Sequence, residues 1–132
     1  MQLSKEFLFS FYDFVRKKGI IDEEIVKKIE EILPNTSEKV KETIKKGITK
    51  YLYNPSNRVI WTASGTETEY IVYPKLFCTC KFFYKKVIIE KEKICCKHIL
   101  SQIICEALNE YKVVELKDNE FINRINDLRL EF

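Results

Sequence analysis

The sequence lacks the long apolar run that a membrane-spanning helix requires. No stretch approaches the roughly 18 consecutive apolar residues that mark such a helix. Residues 1–14, MQLSKEFLFSFYDF, carry polar and acidic side chains within their apolar stretch, whereas a secretory signal has a basic region followed by a clean apolar one. The sequence therefore predicts a soluble intracellular protein without a membrane partner, cytoplasmic or, in a eukaryotic source, nuclear.

Glycine and proline are also scarce, with three of each among 132 residues. No Gly- or Pro-rich linker, low-complexity segment or internal repeat divides the chain, so its length predicts a single domain over 1–132. The chain has one methionine and two glutamines while Lys, Ile and Glu are abundant, a composition typical of a thermophile or of an AT-rich genome. The sequence predicts an α+β fold, with a helical front, a strand-rich middle and a helical back.

The first part of the chain, 1–47, is predicted to be a helical front. Apolar residues recur at helical spacing as far as Gly19, which ends the first helix. Asp22 caps a second helix that Pro34 stops, and Thr36 or Ser37 caps a third. The predicted helices run over 3–18, 22–33 and 36–47.

The middle of the chain, 48–111, changes to the composition of strands. ITKYLY, RVIWTA and EYIVYP are rich in β-branched and aromatic residues, and turn sequences separate them, which predicts a small antiparallel meander. FFYKKVII, after Cys80, is predicted as a further strand, and the run 96–111 as a helix. Residues 112–132 are predicted to form a C-terminal helix that Asp118 caps. Its apolar residues are Phe121, Ile122, Ile125 and Leu128.

Cysteine and histidine are concentrated in one region. The chain has five cysteines and one histidine, and an odd count without a secretory signal argues against a disulfide framework. Each of these residues alone is typical of a buried core position. As a set they have metal-ligand spacing, a Cys-x-Cys and then a Cys-x-His at the mouth of a helix, which predicts one tetrahedral Cys3His zinc site. Its predicted ligands are Cys78, Cys80, Cys96 and His98.

These residues resemble the Cys-x-Cys…Cys-x-His signature of the SWIM zinc finger, a ββα module in which the last Cys and His open the helix. Fifteen residues separate the two halves, and an aromatic pair, Phe82 and Phe83, stands near the start of the spacer. The order of elements also resembles that of the small SWIM-domain subunit of Shu-type recombination complexes. This resemblance implies an archaeal source. Cys95 departs from the family, which has an apolar residue there. Cys96 is the predicted ligand because Cys95 would break the Cys-x-His spacing.

The resemblance implies a function that the residues themselves do not show. It implies one structural Zn²⁺ per chain and a non-catalytic adaptor in homologous recombination and DNA repair. Such an adaptor partners a RecA-like recombinase paralogue and helps the main recombinase to assemble or exchange strands on single-stranded DNA. An enzyme is the less favoured alternative, because a zinc deaminase needs a His-x-Glu step and an open coordination position. A thiol redox role would need free thiols.

A free-standing nucleic-acid-binding finger is a further alternative. Segment 75–98 holds seven lysines against two glutamates, a formal charge of +5 in a chain whose total is +3. Lysines interleaved with aromatics are typical of a groove for single-stranded DNA, and equally of a solvated face over a small core. The candidate residues are Lys81, Lys85, Lys86, Lys93, Phe82, Phe83 and Tyr84.

One aromatic residue of the first predicted helix does not share its apolar face. On the helical wheel Phe9 falls between Lys5, Asp13 and Arg16, where a monomer would expose it. Interfaces favour aromatic anchors, so Phe9 is a candidate contact for the partner or for a second copy of the chain.

Overall fold

A computed structural model describes residues 5–121 and has the predicted order of helices before strands. The elements are α1 (Glu6–Lys18), α2 (Glu23–Ile32), α3 (Ser37–Lys46), β1 (Ile48–Asn54), β2 (Arg58–Ser64), β3 (Glu69–Tyr73), β4 (Phe77–Cys78), a π-helix (Phe83–Ile89), α4 (Lys97–Leu108), β5 (Lys112–Lys117) and a 3₁₀ turn (Asp118–Glu120). The fold class is α+β, as predicted. Leu3, Ile122, Ile125 and Leu128, all placed in predicted helices, lie outside the described residues.

The helical front is bounded by the residues that the sequence indicates. Gly19 adopts a left-handed conformation, φ 71°, after the last turn of α1, and its N–H donates to the Val15 carbonyl. The Asp22 carboxylate accepts the Ile25 N–H at 3.0 Å and so caps α2. The start of α3 differs: the Thr36 side chain makes no capping hydrogen bond there. Glu30 supplies the acceptor instead, from the preceding helix, to the N–H groups of Asn35, Thr36 and Ser37.

The strands form one sheet in the order β4-β3-β2-β1-β5. The neighbours from β1 to β4 pair antiparallel, which is the predicted meander. α4 is buried around nearly its whole circumference, with eight consecutive buried residues from His98 to Cys105, so it is the central helix of the core. Its first turn lies beside the end of β4. The β3–β4 hairpin and α4 therefore follow one another in the order of a ββα module.

Residues 112–117 are a strand, so the prediction of a helix over 112–132 is wrong for this segment. They form β5, which pairs parallel to β1 from Thr49↔Lys112 to Asn54↔Lys117 and makes the sheet mixed. The segment KVVELK alternates, and Val114 and Leu116 pack with Tyr51 and Tyr53 on the sheet face away from α4. The edge of β1 supplies the hydrogen bonds that a strand needs. The apolar residues from Phe121 onward have helical spacing, and the prediction extended that helix back to residue 112.

One further local prediction is wrong. FFYKKVII is helical rather than extended, with Phe83–Ile89 in π-helical geometry. The Asp118 carboxylate accepts the backbone N–H of Ser56 at 3.1 Å and the Ser56 hydroxyl at 2.7 Å, and the short helix predicted after Asp118 lies almost entirely outside the described residues. That contact ties the end of β5 to the β1–β2 turn. No helix within residues 5–121 combines the length and apolar character needed to cross a bilayer.

Candidate metal centre

The four predicted ligands come together where the β3–β4 hairpin meets the start of α4. Cys78 ends β4, Cys80 follows two residues later, Cys96 is the N-cap residue of α4 and His98 lies in its first turn. All four side chains are buried, and their ligand atoms lie within 4.8 Å of one another. This group can hold one metal ion.

The distances inside the group fit a tetrahedral ion. Zn–S bonds of about 2.3 Å and Zn–N bonds of about 2.0 Å at tetrahedral angles place sulfur and nitrogen roughly 3.6 Å apart. The His98 Nδ1 lies 3.6 Å from the Cys78 Sγ and 3.8 Å from the Cys96 Sγ. Nδ1 is therefore the ring nitrogen that faces the sulfurs, and the donor set fits zinc in both chemistry and size.

A tight turn and one buried threonine position the two hairpin cysteines. The turn between β3 and β4 closes through the Leu76 N–H to the Tyr73 carbonyl, with Lys75 in the left-handed region at φ 64°. Thr79, between the two cysteines, donates its N–H to the Ile71 carbonyl at 3.1 Å and accepts the Ile71 N–H on its hydroxyl at 3.0 Å. The Cys-x-Cys therefore continues the hairpin pairing, and the sequence analysis missed this role of Thr79.

Replacing Thr79 with valine is expected to destabilise the domain and weaken metal binding. Valine keeps the shape but removes the acceptor of the Ile71 N–H, and leaving a buried donor unsatisfied costs about 1–3 kcal/mol. Thr79→Ser is the matched control because it keeps the hydroxyl. Thermal unfolding and competition for zinc with a chelator measure both effects. Equal stability and affinity of the two variants would contradict the role given to the hydroxyl.

The three thiols of the group lie close enough to change one another's pKa values. Hydrogen bonds from the Cys78 thiol and then from the Cys96 thiol lower the pKa of Cys80. The pKa of Cys78 rises because its thiol is hydrogen-bonded to Cys80, and burial raises the pKa of Cys96. The Phe83 N–H also points at the Cys80 Sγ, at 3.4 Å. Zinc ligation requires all three sulfurs to be thiolates, and a bound divalent ion would stabilise their combined negative charge.

The remaining cysteines lie outside this group. Cys95 and Cys105 are buried, and neither contributes a sulfur to the cluster formed within residues 5–121. Burial raises the pKa of the Cys95 thiol. Burial is also the main cause that raises the pKa of Cys105, to about 12. Between the two neighbouring sulfurs, the structure brings Cys96 to the site and leaves Cys95 in the apolar core.

The predicted nucleic-acid residues separate into three environments. Phe83 is fully buried against Phe77, with ring centroids 5.2 Å apart, so its predicted place in a base-stacking groove is wrong. Lys86 forms ion pairs with Glu90 and Glu92. Lys93 is half-buried, and the exposed members of the set are Lys81, Phe82, Tyr84 and Lys85.

Phe9 lies on the outer face of α1, and its predicted exposure is confirmed. Its side chain is 57% exposed, while Leu8, Phe11 and Val15 form the buried face of the helix. The Lys75 Nζ lies 5.2 Å from the centroid of the Phe9 ring. Phe9 is therefore an accessible aromatic side chain beside the β3–β4 turn.

Fold and site together define an α+β domain with a buried Cys3His group that can bind a metal ion. The chain is similar to a protein described as "Zinc finger SWIM domain-containing protein 7 homolog" from Dictyostelium discoideum, with 32% identity over 80 residues. The match covers 59% of this chain and 51% of the relative, so the chain spans about half the length of the curated relative it matches. No family model matches the chain. No solved structure matches it either.

Proposed function

We propose that this chain is a non-catalytic zinc-binding adaptor in homologous recombination and DNA repair. It partners a RecA-like recombinase paralogue and assists the recombinase in assembling or exchanging strands on single-stranded DNA. The observation that carries the proposal is the buried Cys3His group, in the arrangement of a SWIM finger and with similarity to a SWIM-domain protein. The recombination role itself rests on the resemblance of the sequence to the small Shu-type subunit.

A structural role for one Zn²⁺ per chain follows from the way the ligands are held. Four protein side chains complete a tetrahedral shell, which leaves no position for a substrate or an activated water. The ion would join the β3–β4 hairpin to the first turn of α4, two elements that are eighteen residues apart at Cys78 and Cys96. Zinc at one equivalent in freshly purified protein supports this role. Metal-free protein with titratable, reversibly oxidised thiols would favour the redox alternative.

Affinity capture from the source organism tests the adaptor function. A tagged chain is expected to retain a RecA-like ATPase in near-equal amount, identified by mass spectrometry. Nucleic acid retained without any such ATPase would contradict the adaptor proposal and favour the free-standing finger, for which the exposed lysines near the metal centre are the supporting observation.

Phe9→Ala is expected to weaken capture of the recombinase paralogue without changing the fold. An aromatic anchor at an interface contributes about 2 kcal/mol or more, which corresponds to roughly thirtyfold in affinity. Ile89→Ala is the matched control, since Ile89 is 59% exposed and Phe9 57%. Binding of the purified partner to both variants measures the effect, and sedimentation reports self-association if the partner is a second copy. A drop of several degrees in melting temperature for Phe9→Ala would instead assign Phe9 to the core.

A further inference from the structure

A pocket of about 250 Å³ adjoins the metal centre, and three of the predicted ligands, Cys80, Cys96 and His98, form part of its wall. It is bounded by α3, by the first turn of α4 and by the residues that follow Cys80. A metal ion held by atoms within 4.8 Å of one another needs only a small fraction of this volume. The pocket lies below the roughly 300–1,000 Å³ of sites for drug-sized ligands, so it suits a ligand of at most about one nucleotide in size.

The side chains around this pocket are positively charged. Lys39, Lys81 and Lys97 line it, from three separate parts of the chain, and none of its lining residues is an aspartate or glutamate. Within residues 5–121 these three lysines form no ion pair, in contrast to Lys86. Three thiolates around a divalent ion would carry a net charge of −1, which balances one lysine and leaves an excess of two positive charges. Such an excess favours an anion.

The pocket also has an aromatic wall. Phe82 lines it with a side chain that is 42% exposed, so its ring remains available to a ligand. Tyr70 forms another part of the wall and is held in place by stacking on His98, with ring centroids 4.5 Å apart and planes at 30°. The first turn of α4, where Lys97 is the first helical residue, adds the positive end of a helix dipole. Sites for single-stranded nucleic acid combine basic side chains, which contact phosphates, with aromatic rings, on which bases stack.

We propose that this pocket binds one nucleotide of a single-stranded DNA, with its phosphate on Lys39, Lys81 and Lys97 and its base against Phe82. The proposal deepens the proposed function, because it puts the DNA strand on this chain itself. Of the groove predicted from sequence it keeps only Lys81 and Phe82, and it adds Lys39 and Lys97. The binding test below uses the zinc-loaded chain alone, so its failure is distinct from a failure to capture a recombinase paralogue.

Titration of a fluorescein-labelled oligothymidylate tests the charge of the pocket. The triple variant K39Q/K81Q/K97Q is expected to bind at least tenfold more weakly than the unmodified chain. A control with the same change in charge, K17Q/K45Q/K112Q, alters lysines that do not line the pocket and is expected to stay within twofold. The dependence of log affinity on log salt should also become less steep by about 0.7, the contribution of one phosphate contact to a single strand.

Two outcomes of this titration would overturn the proposal. Equal weakening by both triple variants would show attraction to the overall charge of the chain, and no weakening by the pocket variant would remove the site. Because Lys97 lies between two predicted metal ligands, zinc content is measured for every protein. Lys39→Glu, on α3, tests the pocket without changing that segment, and at least a fivefold loss of affinity is expected.

The base contact is tested separately through Phe82. Phe82→Ala is expected to weaken oligothymidylate binding about tenfold, and Phe82→Tyr, which keeps a ring, should restore it. Thymidine monophosphate should displace the labelled strand at lower concentration than inorganic phosphate. Equal displacement by the two competitors, or unchanged binding by Phe82→Ala, would mean a simple phosphate site and would overturn the assignment of a nucleotide.

Discussion

Cys96→Ser and His98→Ala are each expected to lose the metal and, with it, most of the folded population. Binding free energies of structural zinc sites are about 10–16 kcal/mol, whereas a whole domain is stable by about 5–15 kcal/mol. The four ligand side chains are buried, so a variant also leaves unpaired thiols or an unpaired imidazole inside the protein. Removing one ligand should therefore cost more than any single truncation in the core. Zinc content by mass spectrometry and thermal unfolding measure the two effects.

The neighbouring cysteines provide matched controls for this prediction. Cys95→Ser and Cys105→Ser are expected to keep one equivalent of zinc, although a hydroxyl buried in their place costs about 1–3 kcal/mol. Cys105 lies seven residues beyond His98 in α4, a rise of about 10 Å. A Cys96→Ser protein that kept both its zinc and its melting temperature would refute the ligand assignment. Zinc loss on substitution of Cys95 would transfer the ligand role to that sulfur.

Phe83→Ala is expected to lower the stability by about 3–5 kcal/mol, the usual cost of removing a large buried ring. Phe83 is fully buried, packs edge-to-face on Phe77, and lies 5.3 Å from the Lys5 Nζ. The Phe83 N–H donates to the Cys80 Sγ, so a backbone shift at residue 83 would also disturb a predicted metal ligand. We expect a fall of about 10 °C or more in melting temperature. Zinc should also be lost more rapidly to a chelator.

Phe82→Ala is the control, because the adjacent ring is 42% exposed. Its melting temperature should stay within a few degrees of the unmodified chain, and its zinc should be retained. Comparison of the two variants distinguishes a core aromatic residue from a surface one, a distinction that the sequence analysis did not make between Phe82 and Phe83. Equal destabilisation by both substitutions would mean that Phe82 also belongs to the core under the metal centre.

The metal centre was the part of this protein most open to prediction from sequence. Cys78, Cys80, Cys96 and His98 are rare residues at ligand spacing, and a ligand set is constrained by chemistry more tightly than a surface is. The pocket beside it could not be predicted, because Lys39 lies 42 residues before Lys81 in sequence. Among many lysines, nothing in local sequence distinguishes one that lines a cavity.

The sequence by itself determined the helical front, the antiparallel meander and the four predicted ligands. These depend on local signals: the Gly19 and Asp22 helix ends, the period-two strands and the Cys-x-Cys and Cys-x-His spacings. Only the tertiary structure decided that 112–117 is a strand, because β5 exists through hydrogen bonds to β1, sixty-three residues earlier. It likewise decided that Phe83 is core and Phe82 is surface. Adjacent, chemically identical side chains differ only in what the rest of the fold packs against them.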